Sequence, residues 1–581
     1  MTACTFFAKN IQKGFIFSLF SMVGMHVAFG ANAQPDAGQI LNEIERDIQV
    51  RPLPKIPEIE SVAPAEEDQG PKVVIKQFKF EGNKALSEVQ LQDALASLTN
   101  REISVTELKT CTDLIAAFYR QQGFVATATL PDQDITEGVV VIKITEAIFG
   151  AVKIDGEYGK DYKRVRPAVI ERMIAAGAMK GKVLDQSKLD QSLANVQNLA
   201  GIKIQSALQA GEQEGSTDVL VKVIDQRMFG TFLSVDNTGG RQTGREKGLA
   251  NITIVSPFGF GETFTVTGLH SQGTDYGKVA INVPVNNSGL QVGLSATHMQ
   301  YDVIVPEFAS QGLNGYSSSF GINAKYPLLK TKDGGLAISV DAEKKLFTNK
   351  NNTSGVTGDY SLQDYSVTLS GDRADALLAG AQNTASLTLG SGYVDLAGTP
   401  GESNDQHATS GPRTKGSYSY LRWNLNRNQF INDTIALTLN GSGQFADSNL
   451  DSSEKFYLGG IDGVRAYPTS EGGGSEGYLV TAELRKYLPH DLSVSVFVDH
   501  GEVKQFADNQ GADGTALSSI NRYSLTGYGA SLNWQGPYNT NLKATYAHRM
   551  GSNPNPASNG VNDQDGSRVI DVFWLNGSVS F

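Results

Sequence analysis

FWLNGSVSF, residues 573–581, alternates with a period of two. Phe573, Leu575, Val579 and Phe581 fall on one face of an extended strand, and Asn576, Ser578 and Ser580 on the other. An apolar face opposite a face of small polar groups suits a strand with hydrocarbon on one side and water on the other. The same texture reaches back to Arg227. Ile435, Leu437 and Leu439 alternate with Ala436, Thr438 and Asn440, and Leu290, Val292 and Leu294 with Gln291, Gly293 and Ser295. Turn residues of the Gly, Asn, Asp and Ser types separate these runs. Period-two patterning without helical stretches predicts one large antiparallel sheet over residues 227–581. At about 22 residues per strand with its turn or loop, the segment holds about 16 strands, which close into a barrel with an aqueous lumen. A soluble β-sandwich would alternate in the same way; the length of the segment and the export signal below favour the barrel.

The chain has 581 residues and a formal charge of −12, a balance that repels phosphate backbones and excludes nucleic acid as the expected partner. Its mean hydropathy of −0.23 does not argue against a membrane, because alternating strands hide from averages. Lys9 and Lys13, the apolar stretch 14–30 and Ala31-Asn32-Ala33 read together as a secretory signal peptide over residues 1–33. An uncleaved anchor is the alternative, since the apolar run approaches spanning length. Cys4 would leave with the signal, so Cys111 would be the single mature cysteine, unable to form an internal disulfide. It lies in a stretch of helical spacing and reads as a buried small hydrophobe.

Within residues 34–50, Ile40, Leu41, Ile44 and Ile48 recur at helical intervals among charges, predicting a short amphipathic helix with nothing local to pack on. Residues 51–72 contain Pro52, Pro54, Pro57, Pro64 and Pro71 and read as an extended linker that lets the helix reach a distant site. Two similar units follow, 73–147 and 148–226. The first orders VVIKQFKFEG (73–82), helices over 87–98 and 105–121, FVATATL (124–130) and VVVIKITEA (139–147). The second orders VKIDG (152–156), helices over 165–176 and 187–199, IKIQSALQAG (202–211) and DVLVKVID (218–225). Each predicts a β-α-α-β-β order on one antiparallel sheet whose edge can accept another strand.

This order resembles the POTRA domain, the polypeptide-transport-associated module. In the second unit the resemblance rests on LDQSKLDQSLANVQNLAGIKIQSALQAGEQEGSTDVLVKV (184–223), with its leucine-rich helix, Leu-Ala-Gly-Ile turn and apolar closing strand.

The segment FYLGGIDGVRAYPTSEGGGSEGYLVTAELRKYL (456–488) places Val464, Arg465, Ala466 and Tyr467 in a Gly-rich loop between two strands. It resembles the outer-membrane transporters of two-partner secretion, the haemolysin and filamentous-haemagglutinin secretion-activation type. That family carries a V-R-G/A-Y/F tetrad on its sixth extracellular loop, often an E-L-R strand after it, matched by Glu483, Leu484 and Arg485, and an F-x-D-x-G wall motif, matched by Phe497, Asp499 and Gly501. Alternation around Leu492, Val494, Val496 and Val498 points Phe497, Asp499 and Gly501 inward. An aspartate in a confined lumen needs a partner, and an inserted guanidinium supplies one, so an Arg465–Asp499 pair is expected to hold the loop.

Two other matches lack their structural context. Gly472, Gly474 and Gly477 satisfy G-x-G-x-x-G, and residues 473–477 satisfy G-x-S-x-G, but a strand follows where a helix is needed. Asp563, Asp565 and Gly566 copy part of a calcium loop, with Val561 at the first ligand position. No histidine pair has metal-ligand spacing. No catalytic, cofactor or metal site is expected.

The resemblance spans nearly the whole mature chain: plug helix, linker, two POTRA domains and an about 16-stranded barrel. It implies a mainly β, non-enzymatic transporter of the Gram-negative outer membrane with its POTRA domains in the periplasm. Its partners would be an unfolded exoprotein of β-helical adhesin or cytolysin type, periplasmic chaperones, the barrel-assembly machinery and outer-membrane lipid. Terminal Phe581 resembles the assembly signal of such barrels. A barrel-assembly insertase shares the loop motif but carries more POTRA units, and a passive porin or surface receptor would leave the docking units unexplained.

Overall fold

The computed structural model describes residues 34–48, 72–133, 135, 138–156, 158, 163–213, 216–331, 333–557, 560 and 562–581. The signal-peptide reading of 1–33 and most of the linker, 49–71, lie outside the described residues.

The amphipathic pattern at the start forms helix α1 (Ala37–Asp47), capped by Asp36, whose carboxylate accepts from Gln39 N at 2.8 Å. The first unit comprises β1 (Lys72–Ile75), β2 (Gln77–Glu81), α2 (Glu88–Ala94), β3 (Arg101–Ser104), α3 (Val105–Gln121), β4 (Ala126–Thr129) and β5 (Val139–Glu146). Its core joins Leu91, Ile115 and Tyr119 of the helices to Val140 and Ile142 of the central strand, with Cys111 fully buried among them. One carboxylate is buried with them. Glu146 Oε1 accepts from Lys84 N, Ala85 N and the Tyr119 hydroxyl at 2.7, 2.8 and 2.9 Å. Burial, and after it the Glu146 carboxylate, push the Tyr119 hydroxyl well above the usual tyrosine range. The second unit comprises β6 (Ile148–Ile154), α4 (Pro167–Ala175), α5 (Gln186–Gln197), β7 (Ile202–Ala210) and β8 (Ser216–Asp225).

The sheets depart from the sequence expectation in two ways. They are mixed, not antiparallel: β2 runs parallel to β5, and β6 to β8, while only the closing hairpins β4–β5 and β7–β8 are antiparallel. The helical connection returns the chain as a crossover, which is how parallel strands are joined. The run 73–82 also splits into two strands at Lys76, where Lys76 N and Gln77 N both donate to the Gly138 carbonyl at 2.7 and 3.2 Å. Lys76 and Gln77 are consecutively exposed, so the alternation slips by one; β1 leaves the sheet and pairs with β3, a strand that the sequence reading did not find.

Residues 229–580 form a closed barrel of 16 strands. In order they are β9 (Phe229–Asp236), β10 (Lys247–Val255), β11 (Thr263–Ser271), β12 (Thr274–Pro284), β13 (Gln291–Asp302), β14 (Leu313–Thr331), β15 (Gly334–Asn351), β16 (Val356–Asp375), β17 (Ala381–Asp395), β18 (Gly416–Asn432) and β19 (Ile435–Ala446). A loop carrying the two-residue strands β20 (Phe456–Tyr457) and β21 (Gly473–Gly474) follows, then β22 (Glu476–Leu488), β23 (Leu492–Lys504), β24 (Arg522–Gly536), β25 (Thr540–Arg549) and β26 (Asp571–Ser580). All neighbours are antiparallel, and β26 closes on β9 from Asn576↔Asp236 to Ser580↔Phe232.

Strands β14, β15 and β16 reach 19, 18 and 20 residues, about twice the length read from the sequence. Two short helices, α6 (Pro306–Ala309) and α7 (Pro400–Asp405), stand in loops of a segment read as helix-free. Each begins on a proline, whose fixed φ suits a first helical turn.

The pleat assigns the two faces. On β23, Val494, Val496 and Val498 are exposed on the outside, while Ser493, Ser495, Phe497 and Asp499 are buried inside. The second unit docks at the periplasmic turns. Arg166 N donates to Gly259 O at 3.0 Å, the Arg166 guanidinium stacks 4.4 Å from the Phe260 ring, and Gln191 Oε1 of α5 accepts from Lys330 N at 3.1 Å.

Candidate functional site

The loop between β19 and β22 folds into the lumen, because its tip finds there the groups that a flexible Gly-rich chain cannot supply for itself. Arg465 Nε and Nη2 donate to Asp499 Oδ2 and Oδ1, both at 2.8 Å, and Nη1 donates to Glu483 Oε2 at 2.8 Å. The Arg465 backbone N–H adds a bond to Asp499 Oδ2 at 3.2 Å, and the guanidinium carbon lies 3.2 Å from the Phe497 ring centroid. Thr481 Oγ1 donates to Asp499 Oδ1 at 3.0 Å and Arg485 Nη2 to Glu483 Oε1 at 2.7 Å. Two cations and two carboxylates thus balance. Arg465 and Asp499 are buried to 5% and 0% exposure, so removal of either would strand an uncompensated charge.

Val464, Ala466 and Tyr467 are buried with Leu458 and Leu525 against the wall. Two glycines admit them. A Cβ on Gly501 would stand 2.6 Å from Leu458 Cδ2, and one on Gly527 would stand 2.5 Å from Ala466 Cβ. Tyr467 lies under the Arg549 guanidinium at 4.6 Å, and Arg549 pairs with Asp563 at 3.0 and 2.5 Å. Asp563 is therefore an ion-pair residue of the last extracellular loop. Leu484 faces outward, 45% exposed, and Phe581 lies at the barrel seam, paired through its backbone with Thr231. Neither touches the lumenal cluster, and the glycines at 472–477 run into β21 and β22.

Helix α1 lies beside this loop, inside the barrel. Ile40, Leu41 and Ile44 pack into a cluster with lumenal side chains that include Met299, Tyr301, Phe347 and Tyr418. Its polar groups are bonded too: Ala37 N to Asn349 Oδ1 at 2.9 Å, Asn42 Nδ2 to Ser453 O at 2.8 Å and Arg46 Nη1 to Tyr457 O at 3.1 Å. Glu43 ties helix to loop, accepting from Ser470 Oγ at 3.0 Å and from Gly240 N at 2.7 Å; Asp47 pairs with Lys247 of β10.

Several lumenal residues escaped the sequence reading. Glu454 accepts from Lys345 Nζ and Arg422 Nη2, both at 2.8 Å, beneath the helix. Charged side chains at inward positions of β15 and β18 were the available signal. Trp574 Nε1 donates to the Arg465 carbonyl at 2.8 Å, although Trp574 is the one aromatic residue on the polar face of the last strand.

Below the loop tip, a cavity of about 1440 Å³ opens toward Asn195 and Asn198 of the second unit. Part of its wall is a neutral ladder. Asn424, Asn426 and Asn428 on β18 stand opposite Ser442, Asn440 and Thr438 on β19. Such a surface offers hydrogen bonds without fixed charge.

A model of the haemolysin secretion/activation protein family ShlB/FhaC/HecB matches residues 215–546, and one of the ShlB-type POTRA domain matches residues 73–147. The heme/hemopexin transporter protein HuxB of Haemophilus influenzae is 24% identical, over 98% of this chain and 97% of its own length. Among solved structures, CdiB from Escherichia coli superposes with a TM-score of 0.70 at 17% identity, covering 94% of this chain and 96% of that one. CdiB from Acinetobacter baumannii gives 0.65 at 15% identity, covering 94% and 97%. These likenesses in structure agree with the fold, and with the family match over more than half of the chain they identify it: the chain belongs to the haemolysin secretion/activation family, the outer-membrane barrels of two-partner secretion.

Proposed function

We propose that this outer-membrane transporter takes an unfolded exoprotein from the periplasm on its POTRA units and passes it through the barrel to the cell surface. Membership of a two-partner secretion family implies a secreted exoprotein as partner. The observation that carries the route is the cavity running from Asn195 and Asn198 to the underside of Arg465. Along the β18–β19 ladder its neutral amides and hydroxyls can exchange hydrogen bonds with any main chain, so a polypeptide of varied sequence meets one wall without fixed charge, beside the charged groups that line the rest. At the entrance, the exposed edges of the POTRA sheets can pair with an extended segment, again with little demand on its side chains.

In the resting state α1 and the inserted loop occupy the lumen above this cavity, and they share the Glu43–Ser470 hydrogen bond. Export then requires α1 to leave and the loop to stay anchored through Arg465, which leaves a defined path beside it. No catalytic step is part of this cycle, and folding of the exoprotein outside supplies the drive. A β-helical adhesin or cytolysin suits such a drive, because it gains structure rung by rung as it emerges. Delivery of the barrel by periplasmic chaperones and the assembly machinery belongs to the same proposal.

Deleting residues 73–147 tests it. The barrel should still insert and remain heat-modifiable on gels, while the exoprotein disappears from the medium and accumulates in the periplasm. Undiminished export would show that the first POTRA unit does not dock the cargo.

A further inference from the structure

The outward face of the barrel is apolar over most of its height, with Val367, Leu369, Leu387, Leu389 and Leu425 all exposed. Toward the periplasmic ends of β16, β17 and β18 the pattern breaks. Arg373, Asn383 and Arg427 stand side by side in one cross-strand row, with Asp375 and Gln429 one row below. Alternation puts all five on the same face as the exposed leucines, toward lipid.

Arg427 is satisfied within this group. Its Nη1 donates to Asp375 Oδ2 at 2.8 Å and to Asn383 Oδ1 at 2.6 Å, and Nη2 donates to Gln429. Arg373 differs: its side chain is exposed and its guanidinium has no ion-pair or hydrogen-bond partner among the described residues. With Asp375 neutralising Arg427, the cluster carries one net positive charge on a surface where an unmatched guanidinium is destabilising.

Above the row lies a groove of about 640 Å³, with Gly371 and Ala385 side by side in its floor, Leu425 next to Ala385, Gly441 and Val480 beyond Leu425, and Trp423 in its lining. The floor is low where Gly371 pairs with Ala385, two outward positions with no side chain larger than a methyl group, and low again at Gly441, with Leu425 rising between them. Trp423 itself bends toward the floor, its ring 3.2 Å from where a Cβ of Gly441 would stand. A slot of this kind accommodates a hydrocarbon chain, and one free guanidinium at its periplasmic end matches one phosphodiester.

We infer that Arg373 and the groove floored by Gly371 and Ala385, with Leu425 at its side, form a binding site for one glycerophospholipid of the periplasmic leaflet. The phosphate is held by Arg373 beside Asn383 and Arg427, and one acyl chain lies against Trp423. Charge complementarity selects this occupant: the basic group sits at the end of the slot facing the periplasm, where the leaflet's phosphates are, and basic pockets at that depth take lipid headgroups. The lipid A phosphates of the outer leaflet lie at the opposite end of the strands.

Native mass spectrometry of the detergent-purified full chain, titrated with dioleoyl phosphatidylglycerol, tests this. The wild type should retain one lipid in preference to all others. Arg373→Ala should weaken retention about tenfold, the loss expected for a charge-assisted hydrogen bond. Arg373→Lys should recover most of it, and Ala385→Leu, which fills the groove without touching the charge, should weaken it as well. Heat-modifiability checks that each variant is folded, and both positions face lipid, so a leucine or alanine there leaves the lumen untouched. Equal retention by wild type, Arg373→Ala and Ala385→Leu would mean non-specific annular lipid and would overturn the site. Preferential retention of lipid A that is insensitive to Arg373→Ala would overturn it too.

Discussion

Trp574 of the last barrel strand donates its indole N–H to the carbonyl oxygen of Arg465 at 2.8 Å, and the same residue's guanidinium binds Asp499 of β23 through two bonds. The loop tip is therefore held from two sides of the lumen, through backbone and side chain. Arg465→Ala and Asp499→Ala should each impair export without preventing barrel assembly. Combined, they should cost little more than either alone, since groups in direct contact are not additive. Breaking a buried pair costs about 3–5 kcal/mol, which a lowered unfolding temperature would register. Fully additive losses of export would show that the pair is not the functional unit.

Gly527 offers a test that leaves every charge in place. A Cβ there would stand 2.5 Å from the Ala466 side chain, closer than real contacts allow. Gly527→Val should displace the tetrad from the wall, lower export and expose the loop to protease added outside intact cells, while the outward strand face and heat-modifiability stay unchanged. A loop as protected as in the wild type would contradict this packing argument.

The helix can be tested electrically. Leu41 is 1% exposed against the lumenal apolar cluster, and replacing it by a carboxylate without a partner forces burial of a bare charge. Leu41→Glu should raise single-channel conductance in planar bilayers, as α1 spends less time docked. Gln39→Glu, at a half-buried position of the same helix, should not. Conductance unchanged by Leu41→Glu would remove α1 as the resting plug.

A pH dependence follows from Glu471 at the extracellular rim. Its carboxylate accepts from Asn553 Nδ2 at 2.7 Å and Gln564 N at 2.8 Å, and burial pushes it from 4.5 up to about 8. A carboxyl whose folded value lies above its unfolded value stabilises the folded contact fully below the unfolded value and loses that contribution as pH rises through the folded one. The contact between the inserted loop and the last extracellular loop should therefore loosen progressively as pH rises from about 4.5 to about 8, and change little above that. Hydrogen exchange across residues 550–566, corrected for intrinsic rates, should show faster opening at the higher pH. Glu471→Gln should flatten the difference; an unchanged pH dependence in that variant would assign it to another group.

Alternation along the chain was enough to sort β23 into lumenal Asp499 and lipid-facing Val496 and Val498, because a strand's facing is local and repeats every two residues. The amphipathic stretch that became α1 was legible for the same reason at the helical period. Trp574 was not legible as a lumenal partner. Its position on the polar face was readable, but the carbonyl that it serves lies 109 residues earlier in the chain. The split at Lys76 and the parallel pairing of β2 with β5 were hidden because pattern describes a strand's faces and says nothing about its neighbours.

The sequence by itself therefore determined the architecture: two α+β units, about 16 alternating strands, and which residues point inward. The tertiary structure decided which of the inward residues meet. Closure and register of the barrel bring Asp499, Glu483 and Trp574 around one point of the lumen, and the loop reaches it only because Gly501 and Gly527 leave room. Facing is set by the backbone within a few residues, whereas the meeting of Arg465 with its partners depends on strands separated by long stretches of chain, whose relative heights are fixed only when every ladder around the barrel has formed.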